Sequence, residues 1–407
     1  MKKTIFTLVL SAILSFSFAQ KTVINSIADG LWLMPTTWDC ACIPGPGDIV
    51  NISNNVTLNT SWSVVGGTIT INPSGSLVKD NTVRTLALNT GTLMNKGTFV
   101  IDQVANYSGT VVNTGHMNVI RAFLNNDTLK NSGTFDNIDS LQNNHYLVNT
   151  STGTLSADNL WNNYNMNNAG RLDLAYFLTT RYFINNGYLQ ANKFLNTDSC
   201  TINDSVKVMI DFMNAGYFKL SNSVYFDVTN NFLNGDSVFH DAMFINNGQV
   251  LIGNDFTNLD SIKGNLGYFC IVSYSANHGY IGGTVDICDQ SPLTGPPYID
   301  YNTGTIATTV SSCTLHACNV GINETAGTNS AVDVYPNPFN DLLTFEFKGT
   351  STPNSILSVF DVLGQRVFTN TYNTNKITIE RNNLKNGVYF YRLQTNAGVV
   401  TGKLIAE

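Results

Sequence analysis

The feature that most constrains the fold is a short motif, asparagine–any residue–glycine followed by a polar and then an apolar residue, which returns at a nearly constant interval. It reads NKGTF from Asn95, NTGHM from Asn113 and NSGTF from Asn131. Successive glycines are separated by 18, 18, 20, 17, 17, 29 and 32 residues. They are Gly97, Gly115, Gly133, Gly153, Gly170, Gly187, Gly216 and Gly248. An interval this short leaves no room for a strand-plus-helix repeat and indicates one coil of a parallel β-solenoid.

The residues around each glycine predict a strand, a corner and a second strand. The residue two places after the glycine is apolar in all eight copies, so one side of a strand points inward. These residues are Phe99, Met117, Phe135, Leu155, Leu172, Leu189, Phe218 and Val250. Asparagine stands two places before the glycine in seven of the eight copies, with Ser151 as the exception. We expect glycine to take a positive φ at the corner, and asparagine to tolerate left-handed geometry and form amide ladders between coils.

The sequence therefore predicts an all-β chain whose main part is a right-handed parallel β-solenoid, because crossovers between parallel strands are right-handed. From Gly91 to Gly267 there is room for about ten coils. We assign residues 20–90 to an N-terminal cap and first coils, residues 91–268 to the repeats and residues 269–318 to a cysteine-containing C-terminal cap. The alternative is an antiparallel β-sandwich with Asn-Gly hairpins, which would not keep one inward register from repeat to repeat.

The N-terminus predicts export. Lys2 and Lys3 precede a charge-free, mostly apolar run from Ile5 to Phe18, and Ala19 ends a small-residue cleavage site. This pattern is typical of a signal peptide, residues 1–19, and the run is too short to span a bilayer. We therefore expect no transmembrane segment. Only 12% of the residues are charged and the formal net charge is -7, which argues against nucleic acid as a partner.

Seven cysteines accompany the export signal, so disulfides are expected. Four of them cluster near the end of the repeats, and we expect two disulfides among them, with all three connectivities open. These four are Cys270, Cys288, Cys313 and Cys318. Cys40 and Cys42 stand near the start, and Cys200 is expected to be buried as a small hydrophobe. The spacings lack paired C-x-x-C and histidine partners, so we predict no metal site.

Polysaccharide cleavage is the enzymatic alternative, because parallel β-helices often carry it. Glycosidases need two carboxylates with different pKa values, and no glutamate precedes Glu324. Asp136 and Asp173 share the outward position three places after the glycine with three other polar residues. Those are Asn118, Gln190 and Lys219. We predict no catalytic residue and no cofactor, and a structural, adhesive or glycan-binding role in which the outward Tyr188 and Tyr217 are candidate contacts. A lyase or glycoside hydrolase remains the alternative.

A second module follows a polar linker, residues 319–331. From residue 332 to residue 407, short alternating strands separated by turn residues predict a small β-sandwich. Four segments are distinctive: VYPNPFND from Val334, LSVFDVLGQRV from Leu357, LKNGVYFYRL from Leu384 and the terminal GKLIAE.

In these segments the chain resembles the type A C-terminal sorting domain of the type IX secretion system of Bacteroidetes. The resemblance implies passage through the periplasm, contact with the type IX secretion machinery, and release or display at the outer cell surface. It also implies attachment to surface lipopolysaccharide as a further partner. The outward faces of the solenoid are expected to contact an extracellular glycan or a protein. The matching positions are Tyr335, Pro336, Asn337, Pro338, Asp361, Gly364, Gly387, Tyr389 and Lys403. A carbohydrate-binding sandwich is the alternative, because fold alone does not fix function. The segment from Trp38 to Leu58 similarly resembles the opening of secreted bacterial β-helix proteins.

The same resemblance implies O-glycosylation, since exported Bacteroidetes proteins carry glycans at Asp followed by Ser or Thr and a small or aliphatic residue. Five such sites lie within the repeats. Their hydroxyl residues are Thr128, Ser140, Ser205, Ser237 and Ser261. Asp-Ser pairs also occur in ordinary turns, and we expect the hydroxyls to face solvent.

Overall fold

The computed structural model divides the chain into two compact units, Met1–Cys318 and Asn319–Glu407, each with its own apolar core. The structure describes residues 22–236, 241–291, 299–314, 318, 332–347, 355–362, 365–381, 384–395 and 398–407. The predicted signal peptide and linker lie outside these ranges. In the described part of the chain, no helix combines the length and apolar character needed to cross a membrane.

The first unit is a parallel β-solenoid with three strands per coil. In one coil, Gly109–Asn113 lies on the first face, residues 116–119 lie on the second face and residues 122–125 lie on the third face. Each strand pairs in parallel with its equivalents one coil earlier and one coil later. This confirms the predicted solenoid. The prediction of two strands per repeat was wrong, because each coil has three. The second and third faces are formed by one continuous strand, His116–Asn125, which bends at the corner without a turn motif.

Strands that lie only on the first face occur throughout the unit. They are Val23–Asn25, Ile49–Ile52, Gly109–Asn113, Thr128–Asn131, Tyr146–Asn149, Asn165–Asn168, Phe183–Asn185, Ser199–Ile202, Tyr217–Leu220, Met243–Asn246, Ser261–Lys263, Tyr280–Ile281 and Thr305–Ile306. Two early strands run from the third face onto the first, Trp62–Ile71 and Thr85–Asn95. Between residues 91 and 267, the described ranges place ten strands on the first face, which confirms the predicted number of coils.

The second and third faces begin with short strands and continue with long strands that bend from the second face onto the third. They end with a separate strand for each face. The first second-face strands are Gly30–Leu31, Asn55–Leu58 and Ser76–Lys79. The bent strands are Thr98–Asn106, His116–Asn125, Thr134–Asn143, Thr154–Asn162, Arg171–Thr179, Tyr188–Asn196 and Val206–Asn214. The later strands are Tyr225–Val228, Asn231–Asn234, Gln249–Ile252, Phe256–Asn258, Asn265–Ile271, Ser275–Asn277, Thr284–Asp289 and Tyr301–Asn302. A single 3-10 turn, Pro35–Thr37, is described near the start.

Buried asparagines form a ladder at the corner between the first and second faces, which we call the first-corner ladder. The side-chain amide of each asparagine donates to the side-chain oxygen of the next, at 2.7 to 2.8 Å. Its members are Asn95, Asn113, Asn131, Asn149, Asn168 and Asn185, all fully buried. The amide ladder predicted from the sequence is therefore present. Its fourth member is Asn149 and not Ser151, which stands two places before Gly153. This corner contains two extra residues.

A second ladder, which the sequence analysis did not identify, lies at the corner between the third and first faces. We call it the third-corner ladder. Its members are Asn106, Asn125, Asn143, Asn162, Thr179, Asn196, Asn214, Asn234, Asn258, Asn277 and Asn302. Gly216 follows Asn214 and so belongs to this corner, not to the first one as predicted. The intervals around Gly216 are long because two coils in this part of the chain have Ile202 and Leu220, not asparagine, at the first corner.

The corner glycines are required for a reason other than the predicted one. None of the first-corner glycines has a positive φ, and neither does any asparagine described in the structure. Instead, a Cβ added at Gly115 would lie 2.2 Å from the carbonyl oxygen of Gly97, and one at Gly133 would lie 2.2 Å from that of Gly115. Glycine is therefore needed because the backbones of successive coils approach closely at this corner.

Both ends of the solenoid carry cystines. Cys40 is bonded to Cys42 beside the buried Trp38, and two further disulfides join the last coils to the segment that follows them. These are Cys270–Cys318 and Cys288–Cys313, one of the three connectivities left open by the sequence. Cys200 is free and fully buried in the core, and its burial raises the pKa of its thiol well above the ordinary value.

The second unit contains two antiparallel sheets. One has three strands, Val332–Tyr335, Leu342–Phe347 and Lys376–Glu380, and the other has four, Arg366–Tyr372, Ser355–Phe360, Gly387–Thr395 and Gly398–Ala406. Buried side chains of both sheets share one core, in which the rings of Phe345 and Tyr391 are 5.0 Å apart. This is the small sandwich predicted from the alternating pattern.

Candidate functional site

The three faces of the solenoid present different chemistry to solvent. Outward positions of the second face hold aspartates, each close to a basic side chain, as described below. Outward positions of the first face hold no Asp or Glu anywhere in the described ranges, although the chain has a net charge of -7. They hold instead tyrosines, hydroxyl and amide side chains, apolar residues such as Val148 and Ile184, and the lysines Lys130, Lys219 and Lys263. The first face is therefore a neutral to basic surface on an acidic protein.

A shallow groove of about 330 Å³ lies on the first face between two exposed tyrosines. Tyr146 is 46% exposed and Tyr182 is 55% exposed. Asn165 lies between them on the intervening coil, opposite Tyr146 in the strand register. The two tyrosines are thus two coils apart, about 10 Å at the spacing of paired strands. The rest of the groove is lined by small polar and apolar side chains. These are Asn167, Ile184, Ser199 and Thr201, with Met166 and Phe183 at its floor.

A row of aromatic and charged side chains borders this groove along the third corner. The imidazole of His145 stacks on the ring of Tyr164 at 5.2 Å and 10°. His145 Nδ1 lies 3.8 Å from a carboxylate oxygen of Asp127, and Arg181 lies 3.8 Å from Asp198 in the same row. Tyr164 is 42% exposed, so the aromatic surface extends from the groove around the corner.

The two tyrosines singled out in the sequence lie on different faces. Tyr217 belongs to the same first-face row as Tyr146 and Tyr182 and is 41% exposed. Tyr188 lies on the second face, where Arg171 covers its ring at 4.6 Å and its hydroxyl donates to Gln190. Tyr146, Tyr164 and Tyr182 were not predicted from the sequence. The signal for the row is a tyrosine three residues after a third-corner ladder member, as in Asn143 with Tyr146, Thr179 with Tyr182 and Asn214 with Tyr217.

The predicted aspartate column exists on the second face, and each of its carboxylates has a basic neighbour. Asp136 lies 3.8 Å from His116, and Asp173 accepts two hydrogen bonds from Arg171 at 2.6 and 2.7 Å. In strand register the column continues through Gln190 and Lys207 to Asp227. Lys207, not Lys219, occupies it, because Lys219 lies on the first face.

The carboxylates of this column are widely spaced. Asp136 and Asp173 are two coils apart, about 10 Å, whereas the two carboxyl groups of a glycosidase are about 5 to 9.5 Å apart. Burial raises the pKa of Asp227, and Lys207, 3.8 Å away, partly offsets that rise.

A different set of aspartates converges at the corner between the second and third faces. Asp139 and Asp158 lie on adjacent coils and line an open depression of about 400 Å³, together with Asp173. Asp139 and Asp158 are both exposed. Within the described ranges, no group of three or more His, Cys, Asp or Glu side chains is placed to hold a metal ion.

Four of the five predicted glycosylation sites lie in the described ranges, at outward positions that are partly exposed. These are Thr128, Ser140, Ser205 and Ser261, whereas Ser237 lies outside the described residues. The hydroxyl of Thr128 is 3.2 Å from the carboxylate of Asp127. Glycosylation itself remains a prediction.

The sorting-motif residues of the second unit hold its first and last strands together. Asn337 donates to the carbonyl of Lys403 at 2.8 Å, and its side-chain oxygen accepts the amide proton of Ile405 at 2.8 Å. Phe339 adds a backbone hydrogen bond to the carbonyl of Ile405 at 2.9 Å. The turn around Pro336 and Pro338 is thereby fixed against the last strand.

The remaining motif residues have local roles. Tyr335 bonds through its hydroxyl to Glu346, and the carboxylate of Asp361 accepts the amide proton of Gln365. Gly387 begins a strand at a φ of 157°, and buried Tyr389 donates to the carbonyl of Lys385. Gly364 lies outside the described residues.

Comparison with known proteins agrees with this geometry for the second unit. Residues 333–407 match the family model described as a secretion system C-terminal sorting domain. No curated protein matches the sequence. Among solved structures, chitinase ChiW from Paenibacillus sp. str. FPU-7, a bacterial cell-surface-expressed multi-modular enzyme, is similar at 10% identity over 95% of this chain and 24% of that chain, with a TM-score of 0.15. The chain thus spans about a quarter of that protein, and a likeness this low carries no argument.

The matched segment covers the two sheets and the Pro-Asn-Pro turn that is fixed to the last strand. Residues 333–407 are therefore a type IX secretion sorting domain, and the chain is a β-solenoid protein exported to the cell surface or the extracellular space.

Proposed function

We propose that the first face of the exported solenoid binds an extended, neutral glycan and gives the protein an adhesive role. The observation that carries the proposal is the groove between Tyr146 and Tyr182, with the amide of Asn165 between them. Tyrosine offers a sugar ring a flat apolar surface and a hydroxyl at its edge. Amide and hydroxyl side chains such as Asn167 and Thr201 supply the few polar contacts that orient a ligand.

The arrangement of the tyrosines favours a polymer over a single sugar. Tyr146, Tyr182 and Tyr217 lie in one straight row at multiples of the coil spacing. A chain lying along the row would contact several tyrosines, and weak contacts on one linear ligand reinforce each other. The residues that line the groove are all uncharged, which favours a neutral chain.

Retention of the full-length exported protein on insoluble cellulose and chitin, and its affinity for soluble xylan, test the proposal. We expect at least one of these probes to be bound, and Tyr182→Ala to weaken binding roughly five- to tenfold, the loss of one aromatic contact. Tyr225→Ala is the matched control, because Tyr225 is 43% exposed but lies on the second face. Equal loss in both variants, or no binding to any of the three, would contradict the proposal.

A second candidate function, polysaccharide cleavage, is favoured by one observation, the depression lined by Asp139, Asp158 and Asp173. Two carboxylates on adjacent coils satisfy the spacing that acid–base catalysis of glycoside hydrolysis requires. The binding experiments with cellulose, chitin and xylan also distinguish cleavage from adhesion. Release of reducing ends that is abolished in Asp158→Asn would establish cleavage, whereas binding without release supports adhesion alone.

A further inference from the structure

The third face carries an outward stripe of apolar side chains that are partly exposed and that no described element of the solenoid covers. Its members occupy the second outward position of consecutive third-face strands, and the strand register places each beside the next. From Leu124 to Leu233 they are Leu124, Gln142, Trp161, Leu178, Leu195, Met213 and Leu233. Six of these seven side chains are apolar. Trp161 and the five aliphatic residues are partly exposed, so the stripe, which we call the apolar stripe, is a continuous surface.

The apolar stripe differs from the row beside it. That row, formed by the first outward position of each third-face strand, is mainly polar. That row contains Ser140, Asn159, Tyr176, Lys193, Asp211 and Asn231. A linear run of apolar residues bordered by polar ones marks a protein interaction site. Lys193 and Asp211 form an ion pair at 3.6 Å near its middle.

The charges of the polar row complement one another when two copies are related by a two-fold axis. This axis lies in the plane of contact, runs along the strands and passes between the coils of Lys193 and Asp211. In an antiparallel pair about this axis, Lys193 of each copy faces Asp211 of the other. The same operation places Leu195 opposite Met213, and Leu178 opposite Leu233. The pairing of Lys193 with Asp211 across the axis therefore selects one register. In that register the four central apolar residues lie against one another, and Trp161 lies opposite Thr257.

The size of the contact fits a reversible dimer. Ten coils overlap in this register, which at the coil spacing gives a flat strip about 48 Å long, and a four-residue strand makes it about 13 Å wide. Each copy then covers roughly 600 Å², or roughly 1,200 Å² for the pair, near the lower limit for a specific interface.

We propose that the protein self-associates through the apolar stripe as an antiparallel two-fold dimer. Pairing covers the apolar residues, which stabilises the dimer, and leaves the first face of each copy open to solvent. The dimer thereby displays two first faces, each with its row of tyrosines.

Sedimentation equilibrium of the full-length exported protein tests the proposal. We expect the weight-average mass to rise from that of a monomer toward twice that value between about 1 and 100 μM, the range expected for a small interface. Leu195→Lys should hold the protein monomeric throughout, because it places a charge in the middle of the dry stripe. Ile184→Lys is the matched control, since Ile184 is an outward residue of the first face and 42% exposed.

A charge-exchange series keeps the test independent of the apolar substitution. Lys193→Asp should raise the dissociation constant at least fivefold, and the double change Lys193→Asp with Asp211→Lys should return it toward the wild-type value, because the exchange restores both contacts across the axis. A wild-type protein that remains monomeric at 100 μM, or Leu195→Lys that associates as the wild type does, would overturn the proposal. Circular dichroism of each variant establishes that the solenoid is folded.

Discussion

At the scale of single residues, the chain stabilises its corners with amides rather than with charges. An inner ladder asparagine such as Asn113 or Asn131 donates to one side-chain oxygen and accepts from another, so both groups are satisfied inside the core. Thr179 interrupts this chain of bonds. Its hydroxyl accepts from Asn162 at 3.0 Å and donates to the carbonyl of Arg181 at 3.2 Å, which leaves the buried side-chain oxygen of Asn196 without a partner.

Thr179→Asn should therefore stabilise the solenoid. An asparagine at this position can accept from Asn162 and donate to Asn196, and one satisfied buried oxygen is worth about 1 to 2 kcal/mol. We expect a higher urea midpoint for unfolding. The control is Thr197→Asn, the same substitution at an exposed position of the same corner. An unchanged or lower urea midpoint for Thr179→Asn would show that the interruption of the ladder does not lower the stability of the solenoid.

At the scale of elements, the sequence revealed the first face more clearly than the other two. The glycine motif identifies the corner between Gly109–Asn113 and the next strand, because close backbone contact there excludes other residues. The bend within His116–Asn125 needs no glycine or proline, and so it leaves no turn signal. Tyr146 and Tyr182 were not predicted, because their row is defined relative to the third corner, which the glycine motif does not mark in those coils.

The last coils should depend on their disulfides. Cys288 and Cys313 are 25 residues apart, and closing a loop of that length stabilises the folded state by roughly 3 to 4 kcal/mol. The pair Cys288→Ala with Cys313→Ala should accelerate amide hydrogen exchange in Asn265–Ile271 and Thr284–Asp289, whereas earlier coils should exchange as before.

Cys40→Ala with Cys42→Ala is the comparison, since that disulfide closes a loop with a separation of only 2 residues. Its removal should leave exchange in the last coils unchanged. Exchange that is unaffected by loss of Cys288–Cys313 would mean that packing alone holds the last coils.

At the scale of the whole molecule, folding and export are carried by separate units. The core of the solenoid and the core of the sorting domain share no residue. The sequence allowed both units to be predicted because each has its own pattern: a period of about one coil in the first, and four motif segments in the second. The groove on the first face was not predictable, since it depends on which side chains of different coils lie next to one another.

Deletion of residues 332–407 should leave a folded solenoid that accumulates in the periplasm. Its core keeps every apolar contact, so its unfolding midpoint should match that of the solenoid in the intact chain. Cell fractionation together with protease treatment of whole cells measures where it is. The Asn337→Ala variant of the intact chain, which loses two hydrogen bonds to the last strand, should show a partial defect in display. Full display of the truncated chain would contradict the assignment of the sorting role to this domain.

The two ladders have a consequence for life outside the cell, where acidity and salinity are not regulated. A carboxamide has no titratable proton and no net charge, so its hydrogen bonds neither switch with pH nor weaken as ions screen them. An equal number of ion pairs would vary with both conditions. A protein that joins its coils through buried asparagines, such as Asn131 and Asn149, therefore keeps its internal bonds in brackish, fresh or acidic surroundings alike.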